Sequence, residues 1–198
     1  MLLYNSQVSG NCYKVRLLFA HLGIGYERQE LDVVDRSNRP DVLGGHNPAL
    51  RVPTLVLDDG RSLGESNAII YYFAEGTPYL PEDRFERAQV LQWQFFEQYD
   101  HEPNIAVARF LVEVSPEAPD EAFLAEKHRG GYRALDAMER HLDDHEFLVG
   151  ERYSIADISL YAYTHVADEG GYDLSGYPAI NAWLDRVAAQ PGHVPIDA

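Results

Sequence analysis

Ser9, Gly10, Asn11 and Cys12 open a helical pattern directly after a short apolar run, and such a turn is where open α/β folds expose reactive groups. A Cys-x-x-Cys here would signal thiol–disulfide exchange, but Ser9 holds the first position and a dithiol mechanism is excluded. A hydroxyl at this place can donate a hydrogen bond to an anion bound at the helix N-terminus, whose dipole favours negative charge. Suppose that anion is the thiolate of a ligand whose thiol has a reference pKa of about 8.5; lowering it by about two takes about 2.7 kcal/mol. A hydrogen bond to a charged group contributes about 1.5–3 kcal/mol and a helix N-terminus about 0.3–1 kcal/mol, so Ser9 and the dipole suffice. The thiolate then attacks electrophiles. The competing reading of Ser9 is a plain helix N-cap. Cys12, on the side of Val15 and Phe19, reads as a buried small hydrophobe.

Residues 50–69 carry a second set of groups. Leu55-Val56-Leu57 and Ser62-Leu63 flank Asp59-Gly60, a strong hairpin signal, and Glu65-Ser66-Asn67 opens a helix whose apolar run ends before Gly76. Pro53 stands at the entrance of the first strand, where a ring without an N–H is tolerated, and the bond after Val52 is expected to be cis. Val52 then has free backbone groups, with which an extended peptide-like ligand can pair as an added strand. The N–H groups near Ser66 can hold that ligand's carboxylate. One short segment thus offers a backbone reader beside an anion site.

The elements that position these groups follow from periodicity. Leu2-Leu3-Tyr4 reads as a buried strand, followed by a polar turn and a helix in which Val15, Leu18, Phe19 and Leu22 recur at helical spacing before Gly23. Residues 26–33 read as a second strand with Leu31 and Val33 on one face, so the chain opens with a parallel, right-handed β-α-β unit. Pro40 starts a short helix that leads into the hairpin. Residues 1–76 are expected to form an α/β domain, residues 77–84 a linker and residues 85–198 an all-helical domain, since no strand pattern appears after residue 80. Phe85, Ala88, Leu91, Phe95 and Tyr99 mark one side of a long helix, with Trp93 and Phe96 beside them, and Pro103 predicts a break or kink. Further helices are predicted over 105–114, 121–142, 155–166 and from Pro178, the last showing Ile180, Leu184 and Val187 with Trp183 alongside. Ser154-Ile155-Ala156-Asp157 is a capping box in its Asp form, worth about 1 kcal/mol for its Ser.

Composition narrows the function classes. A chain of 198 residues, 45% hydrophobic, can bury a large core in one large or two small domains. Its formal charge of −16 divides into −2 for residues 1–76 and −14 for the rest, which repels phosphate backbones and argues against nucleic acid as a partner. An anionic small ligand is directed instead to the near-neutral N-terminal part, where Lys14, Arg16, Arg39 and Arg51 lie. No secretion signal or membrane-length apolar run appears, and one cysteine allows no internal disulfide, so a cytoplasmic location is the default. The eight histidines have no neighbouring cysteines and no metal site is expected, and His46 and His165 read as structural.

Taken in order, Ser9-Gly10-Asn11-Cys12-Tyr13-Lys14-Val15, Asn47-Pro48-Ala49-Leu50-Arg51-Val52-Pro53-Thr54-Leu55, Glu65-Ser66-x-Ala68-Ile69 and Ser154-Ile155-Ala156-Asp157 resemble the cytosolic glutathione S-transferases over essentially the whole chain. The resemblance is to the serine-type, bacterial-like classes. It implies a thioredoxin-like N-terminal domain, an all-helical C-terminal domain, glutathione as co-substrate and a homodimer. By the same resemblance Ser9 is the hydroxyl that activates the glutathione thiol, with Asn11 assisting, and Val52 before Pro53 pairs with the cysteinyl part. Glu65 holds the γ-glutamyl amine, Ser66 its carboxylate, and Arg51 lies near the glycyl end. Residues 98–104 begin the second-substrate wall in this pattern, with His101 and Asn104 as its candidates and Asp100 reaching the partner subunit's site. For His101 the competing reading is a histidine on the helix surface. Leu50 departs from the pattern, standing where many relatives have Gly and some His, which removes one polar contact.

The leading expectation is therefore a glutathione transferase that conjugates the glutathione thiolate to a hydrophobic electrophile held by the helical domain. A glutathione-dependent disulfide reductase or peroxidase is the alternative enzyme. A non-catalytic interaction module is the alternative from another class, and the presence of Ser9, Val52-Pro53 and Glu65-Ser66 argues against it.

Overall fold

Strand β1, Leu2–Asn5, lies inside a four-stranded sheet of order β2-β1-β3-β4, and its Leu3, Tyr4 and Asn5 are buried. The computed structural model describes residues 1–198 as two units, Met1–Glu75 with Pro191–Ala198, and Gly76–Gln190. In the first unit β1 pairs in parallel with β2, Glu27–Glu30, and antiparallel with β3, Thr54–Val56, which pairs antiparallel with β4, Ser62–Gly64. β2 is shorter than its apolar pattern suggests, because Asp32 accepts hydrogen bonds from the N–H groups of Val34 and Asp35 and turns the chain out of the ladder. Leu31 still reaches the core, its N–H bonded to Asn5 O at 2.7 Å. The hairpin between β3 and β4 closes through Asp58, Asp59 and Gly60: Leu57 N–H bonds Arg61 O, Gly60 N–H bonds Leu57 O, and Gly60 takes a φ of 85°. This is a three-residue loop with its glycine in the left-handed position.

Helix α1, Gly10–Leu22, crosses between β1 and β2 and ends where Gly23, at φ 63°, lets the N–H groups of Gly23 and Ile24 reach back to Ala20 O and Phe19 O. Short helix α2, Arg39–Leu43, precedes the hairpin, and α3, Ser66–Ala74, packs on α1, with the rings of Phe19 and Phe73 4.8 Å apart. Residues 191–198, which follow the helices in sequence, pack with this first unit. The buried Arg16 donates to Ile196 O at 2.6 Å and to the carbonyls of Ser6 and Gln7, while Tyr13 donates to Val194 O at 2.7 Å.

The second unit is helical: α4, Arg84–Phe96; α5, Glu102–Arg109; α6, Glu121–Leu142; α7, Ile155–Thr164; and α8, Pro178–Ala188. Two features depart from the sequence pattern. The apolar row on α4 and the π-helical turn that continues it faces outward, with Phe85 70%, Phe95 68% and Tyr99 84% exposed, and the inward stripe is Val90, Trp93, Gln94, Glu97 and His101. Pro103 makes no break, because residues 97–101 form a π-helical turn in which Glu102 N–H bonds Glu97 O, and the ring falls in the first turn of α5 where its missing N–H is tolerated. None of these helices is long and apolar enough to cross a membrane.

The capping box of α7 is realised, and its Asp does more than cap. Asp157 is fully buried and accepts from Ser154 N–H at 2.9 Å, Ser154 Oγ at 3.0 Å, Leu148 N–H at 3.0 Å and Trp183 Nε1 at 2.9 Å, so one carboxylate ties α7, the preceding loop and α8. Burial pushes its pKa up to about 6 against the pull of those donors, from 3.8 in an open chain. Removing the carboxylate strands several buried donors, so Asp157→Ala is expected to cost about 3 kcal/mol in urea unfolding. A raised carboxyl pKa contributes stability that is full below pH 3.8 and lost as the pH rises through about 6. The stability difference between wild type and Asp157→Asn should accordingly shrink as the pH rises from 3.8 to about 6 and stay level above that.

Candidate functional site

The N-terminus of α1 is capped by Ser9, in extended conformation, whose Oγ accepts from Cys12 N–H at 3.3 Å. The cap uses one oxygen lone pair and leaves the hydroxyl proton for another acceptor, so capping and anion binding are compatible roles for the same half-buried side chain. Cys12 is fully buried. Burial pushes its thiol up to about 11, although Ser6 N–H lies 3.3 Å from Sγ, so it remains a protonated core residue.

The α3 N-terminus approaches from the other end of the unit's sequence. Glu65 precedes it at φ 62°, a region seldom occupied by a side chain other than glycine, and the buried Ser66 donates from Oγ to Asn11 Oδ1 at 3.1 Å. The same Oδ1 receives Lys14 Nζ at 2.9 Å. Asn11 and Ser66, 55 positions apart, thus bring the starts of the two helices together.

The loop before β3 supplies the third component. The Val52–Pro53 bond is cis. Thr54 pairs with Tyr4 and Gly64, whereas Val52 lies outside the ladder and no group in the chain takes its N–H or C=O. Asn47 and Thr54 hold this loop: Asn47 Nδ2 bonds Arg51 O and Thr54 Oγ1, and Thr54 Oγ1 bonds Arg51 O at 2.7 Å. Leu50 sits at φ 53° and packs against the small apolar cluster of Tyr4, Leu31 and Leu43, which offsets a backbone conformation that favours glycine. Arg51 and Glu65 are exposed, with side chains bonded to no other residue.

Three further candidates lie in the helical unit. His101 is neither on a wall nor on the surface. It is fully buried by the π-helical turn, with Nε2 2.9 Å from Thr164 Oγ1. Thr164 gives its own proton to Leu160 O at 2.7 Å, so His101 is the donor in that pair. Asn104 is half-buried and bonds Asp100 O at 2.6 Å, while Asp100 is exposed. Sequence reasoning singled out Ser9, Asn11, Val52 and Ser66. It named Lys14 only as one of the cations of the N-terminal part and passed over Asn47, because their importance rests on what their polar atoms touch.

A thioredoxin-like sheet with a cis-proline loop, joined in sequence to an all-helical unit, is the architecture of glutathione transferases. Residues 3–80 match the family model of the glutathione S-transferase N-terminal domain and residues 101–191 that of its C-terminal domain. A crystal structure of a glutathione S-transferase from Pseudomonas fluorescens is 51% identical, with a TM-score of 0.93 over 98% of both chains. Glutathione S-transferase 3 of Zea mays is 31% identical over 96% of this chain and 89% of its own length, and the disulfide-bond oxidoreductase YfcG of Escherichia coli 30% identical over 89% and 80%. The chain belongs to the glutathione S-transferase family.

A thiol with a pKa of about 11 in a closed site is expected to resist alkylation. At about pH 8 its thiolate fraction is at least about a hundredfold below that of an ordinary cysteine, so iodoacetamide should label Cys12 only after unfolding. Labelling of the native protein within minutes, read by mass spectrometry, would show the thiol to be open and ionised.

Proposed function

We propose that this protein is a glutathione transferase in which Ser9 stabilises the thiolate of bound glutathione for attack on a hydrophobic electrophile. The observation that carries the reading is the convergence of two helix N-termini through the Ser66–Asn11 bond, beside a cis-proline loop whose Val52 backbone is unpaired. The γ-glutamyl carboxylate meets Ser66 and the α3 N-terminus, where N–H groups and dipole favour an anion. Glu65, exposed and without a partner in the chain, takes the γ-glutamyl amine. The cysteinyl part pairs with the N–H and C=O of Val52 as an added strand next to Pro53, and Arg51 lies toward the glycyl carboxylate. This leaves the thiol to Ser9, with Asn11 assisting.

A glutathione-dependent disulfide reductase is the second reading, favoured by the similarity to the Escherichia coli disulfide-bond oxidoreductase. Cys12, buried and protonated, supplies no thiolate for that chemistry, so both thiols would come from glutathione. We further infer a homodimer, since the exposed Phe85 and Phe95 on α4 and Tyr99 on the π-helical turn after it give a second copy an apolar face to cover, with Asp100 next to Tyr99 reaching the partner's site.

Calorimetry with glutathione over the thiol titration range tests the reading. Wild type should bind with release of a proton near neutral pH, and Ser66→Ala should bind more weakly; no binding by wild type would leave a non-catalytic member of the family. Ser9→Ala is expected to lower the conjugation rate with an aromatic halide about 10- to 100-fold near pH 7 and to move the bound thiol pKa back toward about 8.5. An unchanged rate would remove Ser9 from the mechanism. Turnover of hydroxyethyl disulfide, with none of the halide, would favour the reductase.

A further inference from the structure

We propose that Lys14 is a positioning residue for glutathione, acting through Asn11 to release the Ser66 hydroxyl to the ligand; the inference rests on the site reading above. Lys14 is fully buried in α1, an unusual place for an ammonium, which brings three donors and no acceptor. A well-packed apolar side chain of similar volume would ordinarily serve stability there at least as well, so the position is explained by what the ammonium touches. One of its contacts is Asn11 Oδ1, at 2.9 Å.

The same oxygen accepts from Ser66 Oγ at 3.1 Å, and a serine hydroxyl has a single proton. While that proton is on Asn11, Ser66 turns only lone pairs to an arriving carboxylate, which repels it. Binding the carboxylate through the hydroxyl therefore requires the proton to rotate from Asn11 to the ligand. The half-buried oxygen it leaves behind lies where α1 meets α3, and losing one of its donors there weakens binding by up to about tenfold. Lys14 removes that penalty, because Nζ keeps Oδ1 satisfied after Ser66 has turned away.

A double-mutant cycle reads this coupling as glutathione Kd by calorimetry, with Tm as the measure of folding. Lys14→Met is expected to raise Kd about tenfold in the wild-type background and to leave it unchanged in Ser66→Ala, where no hydroxyl proton has to move. Lys14→Arg, which keeps a cationic donor, should recover most of the affinity, and the glutathione KM of Lys14→Met should rise with kcat at saturation preserved. An unchanged Kd in Lys14→Met, or an equal loss in both backgrounds, would overturn the proposal and mark Lys14 as structural. If Ser66→Ala itself binds as wild type does, the site reading falls and the proposal with it. Where Lys14→Met does not fold, Lys14→Leu and Lys14→Gln are compared in the same two backgrounds, with a larger loss expected for Leu, since Gln keeps an uncharged donor.

Discussion

One amide oxygen holds the candidate site together. Asn11 Oδ1 accepts from Lys14 and from Ser66, so the starts of α1 and α3 are joined by a half-buried polar contact rather than by apolar packing alone. An apolar contact is tolerant of small displacements, whereas a shared acceptor fixes distance and direction. Ser9 and the first N–H groups of α3 inherit that precision, because each belongs to a helix whose first turn the contact locates. The arrangement also sets the chemistry available, since two helix N-termini aimed at one region form a place for anions, in the less acidic part of a strongly acidic chain.

Backbone geometry supplies the rest of the site. Leu50 and Glu65 both adopt positive φ, and each borders a part of the candidate site, Leu50 the loop that carries Val52 and Glu65 the start of α3. Strained conformations of this kind persist only where the surroundings hold them. For Leu50 the holding contacts are an apolar cluster on one side and the Asn47–Thr54 bonds on the other. The position that breaks the family pattern in sequence is thus accommodated by packing, and Val52 remains an unpaired strand end.

In the helical unit the polar interior is as informative as the apolar one. Asp157 collects donors from α7, from the loop at Leu148 and from Trp183 of α8, so helices distant in sequence are located by one carboxylate. Along α4 and the following π-helical turn the inward stripe becomes polar at Gln94, Glu97 and His101 while aromatic side chains point outward. That inversion is costly for an isolated chain in water.

Local patterns in the residues were enough for the fold class, because they act within a few positions: the helical spacing of α1, the Gly23 terminus, the Asp-Gly turn, the Ser154 box and the proline at the entrance of β3. Ser9, Val52 and Ser66 were legible for the same reason, each standing at an element boundary that its own neighbours define. Other features depend on partners far along the chain. Hydrophobic spacing marks a stripe on α4 but carries no information on which stripe is covered, and the row of Phe85, Phe95 and Tyr99 faces outward. A helical histidine can be exposed or enclosed according to the turn that carries it, and the π-helical turn encloses His101 against Thr164. A lysine in a motif looks like surface charge until Asn11 and Ser66 are brought against it. Burial and polar pairing are properties of contacts between distant residues, so they are settled only when the sheet and helices pack.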